Sequence, residues 1–146
     1  MTTAIALVAL ALSVVSLGWQ AWTWKNDGPV VRVEVTNAIT DALTPGDAEH
    51  YVNVEVFNTG RAATSVTGWG IGMPGGANVY VTRPLPISES LPCRLESQSK
   101  VAFFIEGDEL RRVHHERAIP FDKMRPWVDL GSGKRIHSKQ SVPLAD

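Results

Sequence analysis

Two adjacent histidines, His114 and His115, stand among Asp108, Glu109 and Glu116 in the stretch GDELRRVHHER. Imidazole and carboxylate side chains are ordinary ligands of a zinc-type ion. On a helix such ligands must share one face, as residues four apart do. Neighbouring residues diverge by about 100° around the axis, so His114 and His115 do not converge on one ion. His115 with Glu116 has the same defect. Asp108 and His115 share a face better, but two ligands do not make a site. The stretch reads as a solvated charged turn, and no metal ligand is assigned in it.

Cys93 is the other candidate. It lies between Pro92 and Arg94, and a neighbouring guanidinium can lower a thiol's pKa. The nearest histidines stand 21 and 22 residues further on, so any pairing depends wholly on the fold. A half-buried strand cysteine is the preferred reading. No G-x-S-x-G elbow occurs. GIGMPGGAN matches neither a P-loop nor a G-x-G-x-x-G turn into a helix. No catalytic residue, cofactor or small-molecule substrate is therefore expected, and the chain is read as non-enzymatic. A small metal-binding or hydrolytic domain centred on Asp108, His114, His115 and Cys93 remains an alternative.

Charge narrows the partners. The chain of 146 residues carries 14 Lys and Arg against 15 Asp and Glu, a net charge of -1. Nucleic acid wants a clustered positive field, and none is expected here. Arg111, Arg112 and Arg117 alternate with Glu109 and Glu116. Asp108 can pair with Arg111 or Arg112, and Glu109 with Arg112, as helix neighbours do. GKRIHSK, residues 133–139, is more uniformly basic. It suits either anionic headgroups or a charged hairpin that guards a sheet edge. The lone cysteine excludes an internal disulfide and a zinc site of several thiolates. An unpaired thiol sits most easily in a reducing cytoplasm.

The elements that would position these residues begin with AIALVALALSVVSLGWQAWTWK. No charge falls between residues 4 and 24. As a helix, residues 3–24 span about 33 Å, enough for a hydrocarbon core of ~30 Å. Trp19, Trp22 and Trp24 cluster just before Lys25, and these four residues are assigned to the membrane interface. Tryptophan prefers the headgroup layer because its ring is apolar while its N–H wants a partner. A cleavable signal peptide needs a basic start and small residues at the cut. This stretch begins without Lys or Arg and ends in bulky residues, so an anchor is favoured. Lys25 and Arg32 after the span place the following domain in the cytoplasm by the positive-inside rule.

Residues 25–29 read as a linker, 30–142 as one domain and 143–146 as a tail. VVRVEV and YVNVEVFN alternate in the period of strands with one buried face. The NTGR that follows suggests a hairpin loop using a positive φ at Gly60. In TSVTGWGIGM, Thr67, Trp69, Ile71 and Met73 share a face, while Gly68 and Gly70 imply close backbone approach or a bulge. VYVTR reads as a strand from Val79 to Arg83, and PLPISESLP as a crossing between sheets. CRLE reads as a short strand. KVAFFIE is apolar on both faces and is expected at a covered, central position. Asp108 is the expected cap of a short helix with Leu110 and Val113 inward. RPWVDL and KRIHS flank GSG as a hairpin. Trp69 and Trp127 are expected in or near the core. The fold class is mainly β: an antiparallel sandwich of about seven or eight strands, with one short crossover helix and a transmembrane helix before it.

Three stretches carry a resemblance: VEVFNTGRAATSVTGWGIGMPGG, PLP…RLESQSKVAFFIEGDEL and RPWVDLGSGKRIHSK. They resemble a group of small, mostly uncharacterised membrane-anchored proteins of actinobacteria and their phages. The resemblance implies an immunoglobulin-like sandwich behind an N-terminal membrane segment. It implies no catalytic residues. NTGR is also similar to turns of adhesion-type sandwiches, which would imply display outside the cell. The expected function is a non-enzymatic, single-pass protein-interaction module in the cell membrane, with the bilayer and an unidentified protein as partners. A phage- or envelope-associated structural or adhesion module outside the cell is the alternative.

Overall fold

The computed structural model describes residues 2–41 and 48–145. Helix α1 runs from Thr2 to Asn26. Eight strands follow: β1 Val31–Asp41, β2 Ala48–Asn58, β3 Thr64–Gly72, β4 Asn78–Tyr80, β5 Cys93–Leu95, β6 Ser99–Glu106, β7 Arg125–Leu130 and β8 Arg135–His137. Helix α2, Gly107–Arg117, lies between β6 and β7. The strands form two antiparallel sheets. One has the order β1-β2-β6, and the other β4-β3-β7-β8 with β5 also on β3. Helix α2 therefore carries the chain from one sheet to the other.

Alternation drives both sheets. Val33, Val35, Val52, Val54 and Val56 are buried, while Arg32 and Glu34 face water. Each fully buried valine contributes roughly 1.5–3 kcal/mol by leaving water. Val33 pairs with Val56 and Val35 with Val54, so the register puts valine beside valine on the inner face. Facing them are Trp69, Ile71, Val128 and Leu130 of the second sheet. Trp69 stacks on Phe103 of β6 with ring centroids 5.4 Å apart, which joins the two layers. Leu110 and Val113 of α2 close the core from one end, as their spacing predicts.

Several expectations need correction. Thr67 is exposed, and Val66 takes the inward place. The pairing of β3 with β7 slips between Val66 and Gly68, and that bulge resets the alternation so that Trp69 still points inward. The strand expected from Val79 to Arg83 stops at Tyr80, ahead of the proline-rich stretch. That stretch leaves the second sheet after β4, lies along β6 of the first sheet at Ser88 and Glu89, and returns to the second sheet at β5, since β4 and β5 both pair with β3. β6 is not central. It has β2 on one side only, and the crossing covers its other side. The cap of α2 is Glu106 with no side-chain cap bond, and Asp108 lies inside the first turn. Gly60 has no positive φ, and β2 and β3 lie in different sheets, so NTGR is not a hairpin.

Helix α1 stands apart from this core. It is long and apolar enough to span a membrane, with mean hydropathy 1.9 and none of the span buried in the protein. Its few hydroxyls bond within the helix: Ser13 donates to the Ala9 carbonyl at 2.9 Å and Thr23 to the Gln20 carbonyl at 2.9 Å. Such back-bonding keeps polar side chains satisfied where no water is available.

Candidate interaction site

Two features of the strand framework bear on function: how the apolar helix is joined to the sheets, and which sheet edges are left open. The join is short and held. Only residues 27–30 separate α1 from β1. Asn58, at the end of β2, is buried and organises it. Its Oδ1 accepts from the Val30 N–H at 3.3 Å and from the Gly60 N–H at 3.0 Å. Its Nδ2 donates to the carbonyls of Ala62 at 2.8 Å and Glu96 at 3.1 Å. One amide thus ties the linker, the β2–β3 connection and the β5–β6 turn together. The Thr59 N–H adds a bond to the Val30 carbonyl at 2.9 Å. Arg61 reaches Asp27 at 3.5 Å.

Gly60 is required here by close approach. A Cβ at residue 60 would lie 2.3 Å from the Val30 nitrogen and 2.4 Å from the Gly28 carbonyl oxygen. The glycine that the sequence marks as a turn residue is therefore the floor on which the linker lies. The signal in the sequence was the N-x-G spacing. What hid its role is that the partner segment lies 30 to 32 residues upstream.

An uncovered sheet edge offers unpaired backbone groups to another chain, and proteins usually cover or shorten such edges. Two of the four edges are short, since β4 and β8 have three residues each. The β6 edge is covered by the proline-rich crossing. The Ser88 hydroxyl accepts from the Phe104 N–H at 2.8 Å, and the Glu89 N–H donates to the Ala102 carbonyl at 3.1 Å. A cleft of about 580 Å³ lies further along this side, floored by Val79, Val81 and Phe104, with Arg83 at its mouth.

β1 is different, being long and covered only in part. The Val35 N–H points away from β2 to the Gln140 side chain, 3.4 Å away, and Asn37 donates to the Pro143 carbonyl. The segment after β8 is held there by the Ser138 N–H on the Pro126 carbonyl at 2.7 Å and the Val142 N–H on the Met124 carbonyl at 2.9 Å. Alternate residues of an antiparallel pair send both backbone groups to the same side. Val31 and Val33 therefore face the same edge as Val35, and no described residue bonds their N–H groups. A groove of about 360 Å³ runs beside them, with Val31, Val33 and Ile136 along it. Arg32, His137 and Lys139 stand on its rim together with one acidic residue, Glu34.

The structure does not gather the other candidates into a site. His114 stacks on Phe121 with centroids 4.5 Å apart, and its Nδ1 lies 2.7 Å from the Ile119 carbonyl. Asp108 and Glu109 are engaged with Arg111 at 2.8 Å and Arg112 at 2.5 Å, the local pairing their spacing suggests. Among the described residues no three His, Cys, Asp or Glu side chains lie together as a metal could use them. Cys93 is half-buried on β5, and burial pushes its thiol pKa up, with Glu89 adding to the effect. That is opposite to the shift an activated thiol needs. Trp19, Trp22 and Trp24 are all exposed on α1, Trp24 at 84%.

No family model and no curated protein matches the chain. Among solved structures it is similar to target SoR45 of the Northeast Structural Genomics Consortium, determined by X-ray crystallography. The identity is 16% over 74% of this chain and 80% of the other, with a TM-score of 0.32. A likeness at that level carries no argument about function.

Proposed function

We propose that the protein is a single-pass, membrane-anchored module that binds another protein, with no enzymatic activity and with its domain in the cytoplasm. The observation that carries this reading is the held join. A helix apolar all round is connected through four residues to a β domain, and those residues are bonded to that domain at Val30 and Asp27. A cleaved leader has no use for a docked linker.

We further assign the domain to the immunoglobulin-like class. Lettered A to G with a C′ in chain order, the strands give A-B-E in one sheet and C′-C-F-G in the other. That order supports the assignment, as does Trp69, a buried tryptophan on the third strand. The strand before β6 departs from the pattern by pairing with β3.

Alkaline carbonate washing of membranes tests the anchor. The protein stays in the pellet, is released by detergent, and has a mass that includes Trp19 to Lys25. Recovery in the wash, or a mature chain that starts after Trp24, refutes it. Orientation is read with an impermeant thiol reagent on Ser132→Cys, an exposed hairpin position, in a Cys93→Ser background. No labelling in intact cells with full labelling after permeabilisation places the domain inside. Labelling in intact cells places it outside and favours the envelope-displayed module instead.

A further inference from the structure

We propose that the open half of β1, Val31 to Glu34, accepts an extended segment of another membrane protein, alternating apolar and acidic residues, as an added strand. The proposal rests on the anchored, protein-binding reading above and gives it a site.

Edge coverage singles out this stretch. The crossing at Ser88 and Glu89 takes the β6 edge, and the segment around Gln140 and Pro143 takes the distal half of β1. The N–H and C=O groups of Val31 and Val33 are left facing outward beside the groove. A strand laid there would gain ladder bonds from both residues and be stopped at Val35 by Gln140. Four residues of β1 extend about 13 Å, so the added segment is short.

The groove also specifies chemistry. An added strand would turn alternate side chains toward Val31, Val33 and Ile136, which favours apolar residues there. The intervening side chains would face the rim, where the two cations Arg32 and Lys139 outnumber Glu34. Neither Arg32 nor Lys139 has an acidic partner among the described residues. Opposite charges across a strand pair stabilise it and like charges oppose it, so the rim selects acidic residues.

A second copy is the obvious rival, and the crosslinking below reads it as a doubled mass. The start of β1 lies within about 18 Å of the end of α1, five residues away. The same reach places the partner segment close to the membrane surface.

Two blocked peptides serve as probes, acetyl-Val-Glu-Val-Glu-Val-Glu-amide and its Val-Lys counterpart, with the full chain in nanodiscs. The Glu peptide slows hydrogen exchange at the Val31 and Val33 amides, and the Lys peptide does not. Arg32→Glu with Lys139→Glu, both at exposed positions, reverses the preference. Protection by neither peptide, equal protection by both, or no reversal overturns the proposal. Photocrosslinkers at Lys139 and, as a control, at Arg117 in native membranes separate site from function. Adducts with another membrane protein from Lys139 alone support the groove. Adducts from Arg117 alone overturn the groove and leave the interaction module standing. No adduct from either overturns both, and a doubled mass from Lys139 shows self-pairing and overturns the foreign strand.

Discussion

Trp69 and Trp127 are almost equally hidden, 3% and 0% exposed, yet they are buried in opposite ways. Trp69 lies between the sheets, stacked on Phe103 within the shared core. Trp127 belongs to the outer face of the second sheet and is not part of that core. It faces Gly70 across the β3–β7 pair. Tyr80 meets it edge-on with centroids 5.1 Å apart, and the Arg135 guanidinium carbon sits 3.6 Å above its ring. Asp129 holds that guanidinium through two bonds of 2.7 and 2.8 Å. One tryptophan is covered by the fold and the other by two side chains on a solvent face, Tyr80 and the Arg135 that Asp129 holds in place. The indole Nε1–H of Trp127 has no acceptor among the described residues, a cost that a core position rarely tolerates. Burial alone therefore does not identify a core residue.

The largest effect should come from removing either indole, and the comparison predicts which matters more. Trp69→Ala leaves a cavity walled by both sheets, and a loss of ~3–5 kcal/mol is expected. At Trp127 the cover can collapse and water can enter from the open face. Its alanine variant should fall at or below the low end of that range, ~3 kcal/mol. Urea unfolding of the two variants measures this. A larger loss at Trp127 would mean that the outer cluster, rather than the inter-sheet core, dominates stability.

The next effect is steric. Gly70 makes room for the outer cluster. A Cβ there would stand 2.8 Å from Trp127 Cζ2 and 2.4 Å from the Val79 carbonyl oxygen. Backbone cannot yield as a flexible side chain does. Gly70→Ala should cost about 1–3 kcal/mol, as overpacking generally does. Gly68→Ala is the control, since its nearest neighbours, Asp129 atoms, begin at 3.8 Å. Equal losses at the two positions would show that backbone freedom matters and the fit of the indole does not.

The contrast also marks how far the sequence could be read. Valine alternation in β1 and β2 located both inner faces, because period two is a local property. The glycines at 68 and 70 were legible as a bulge or close approach, and both occur. The indole that fills the space was not legible, since Trp127 lies 57 positions beyond Gly70 and only pairing joins them. Thr67 went to the wrong face because a bulge cannot be counted from alternation. KVAFFIE suggested a central strand because both faces are apolar. The cover at its edge comes instead from Ser88 and Glu89, in a stretch whose prolines suggested only a crossing. The groove beside β1 was invisible for the same reason. Its open and closed halves are decided by Gln140 and Pro143, about a hundred residues away.

A subtler test removes only the lid. Arg135→Gln keeps a polar side chain at position 135 but gives up the ring contact and the two-pronged bond to Asp129. Exchange of the Trp127 indole proton, followed by NMR, should accelerate in this variant while that of Trp69 stays unchanged. Parallel acceleration at both would mean that the two tryptophans share one cooperative unit, and the distinction between them would fail.

The smallest expected effect is a pH dependence confined to the outer cluster. The Arg135 guanidinium bonds to Asp129 and holds its carboxyl below the usual carboxylate range, against the opposing pull of burial. The Arg135 pKa is raised in turn, first by Asp129 and then by Tyr80, so the arginine stays charged throughout. A carboxyl whose pKa is lowered by folding stabilises the folded state fully above its unfolded pKa of about 3.9. That contribution disappears as pH falls through the lower, folded value. Stability of the wild type relative to Asp129→Asn should thus be flat from neutral pH down to about 4 and shrink below it. Because the pair is partly exposed, added salt should narrow the gap at neutral pH. Trp127 indole exchange should follow the acid transition and Trp69 should not. A gap that persists unchanged at strongly acid pH would show that Asp129 acts through shape and not charge, leaving Arg135 held over the indole by packing alone.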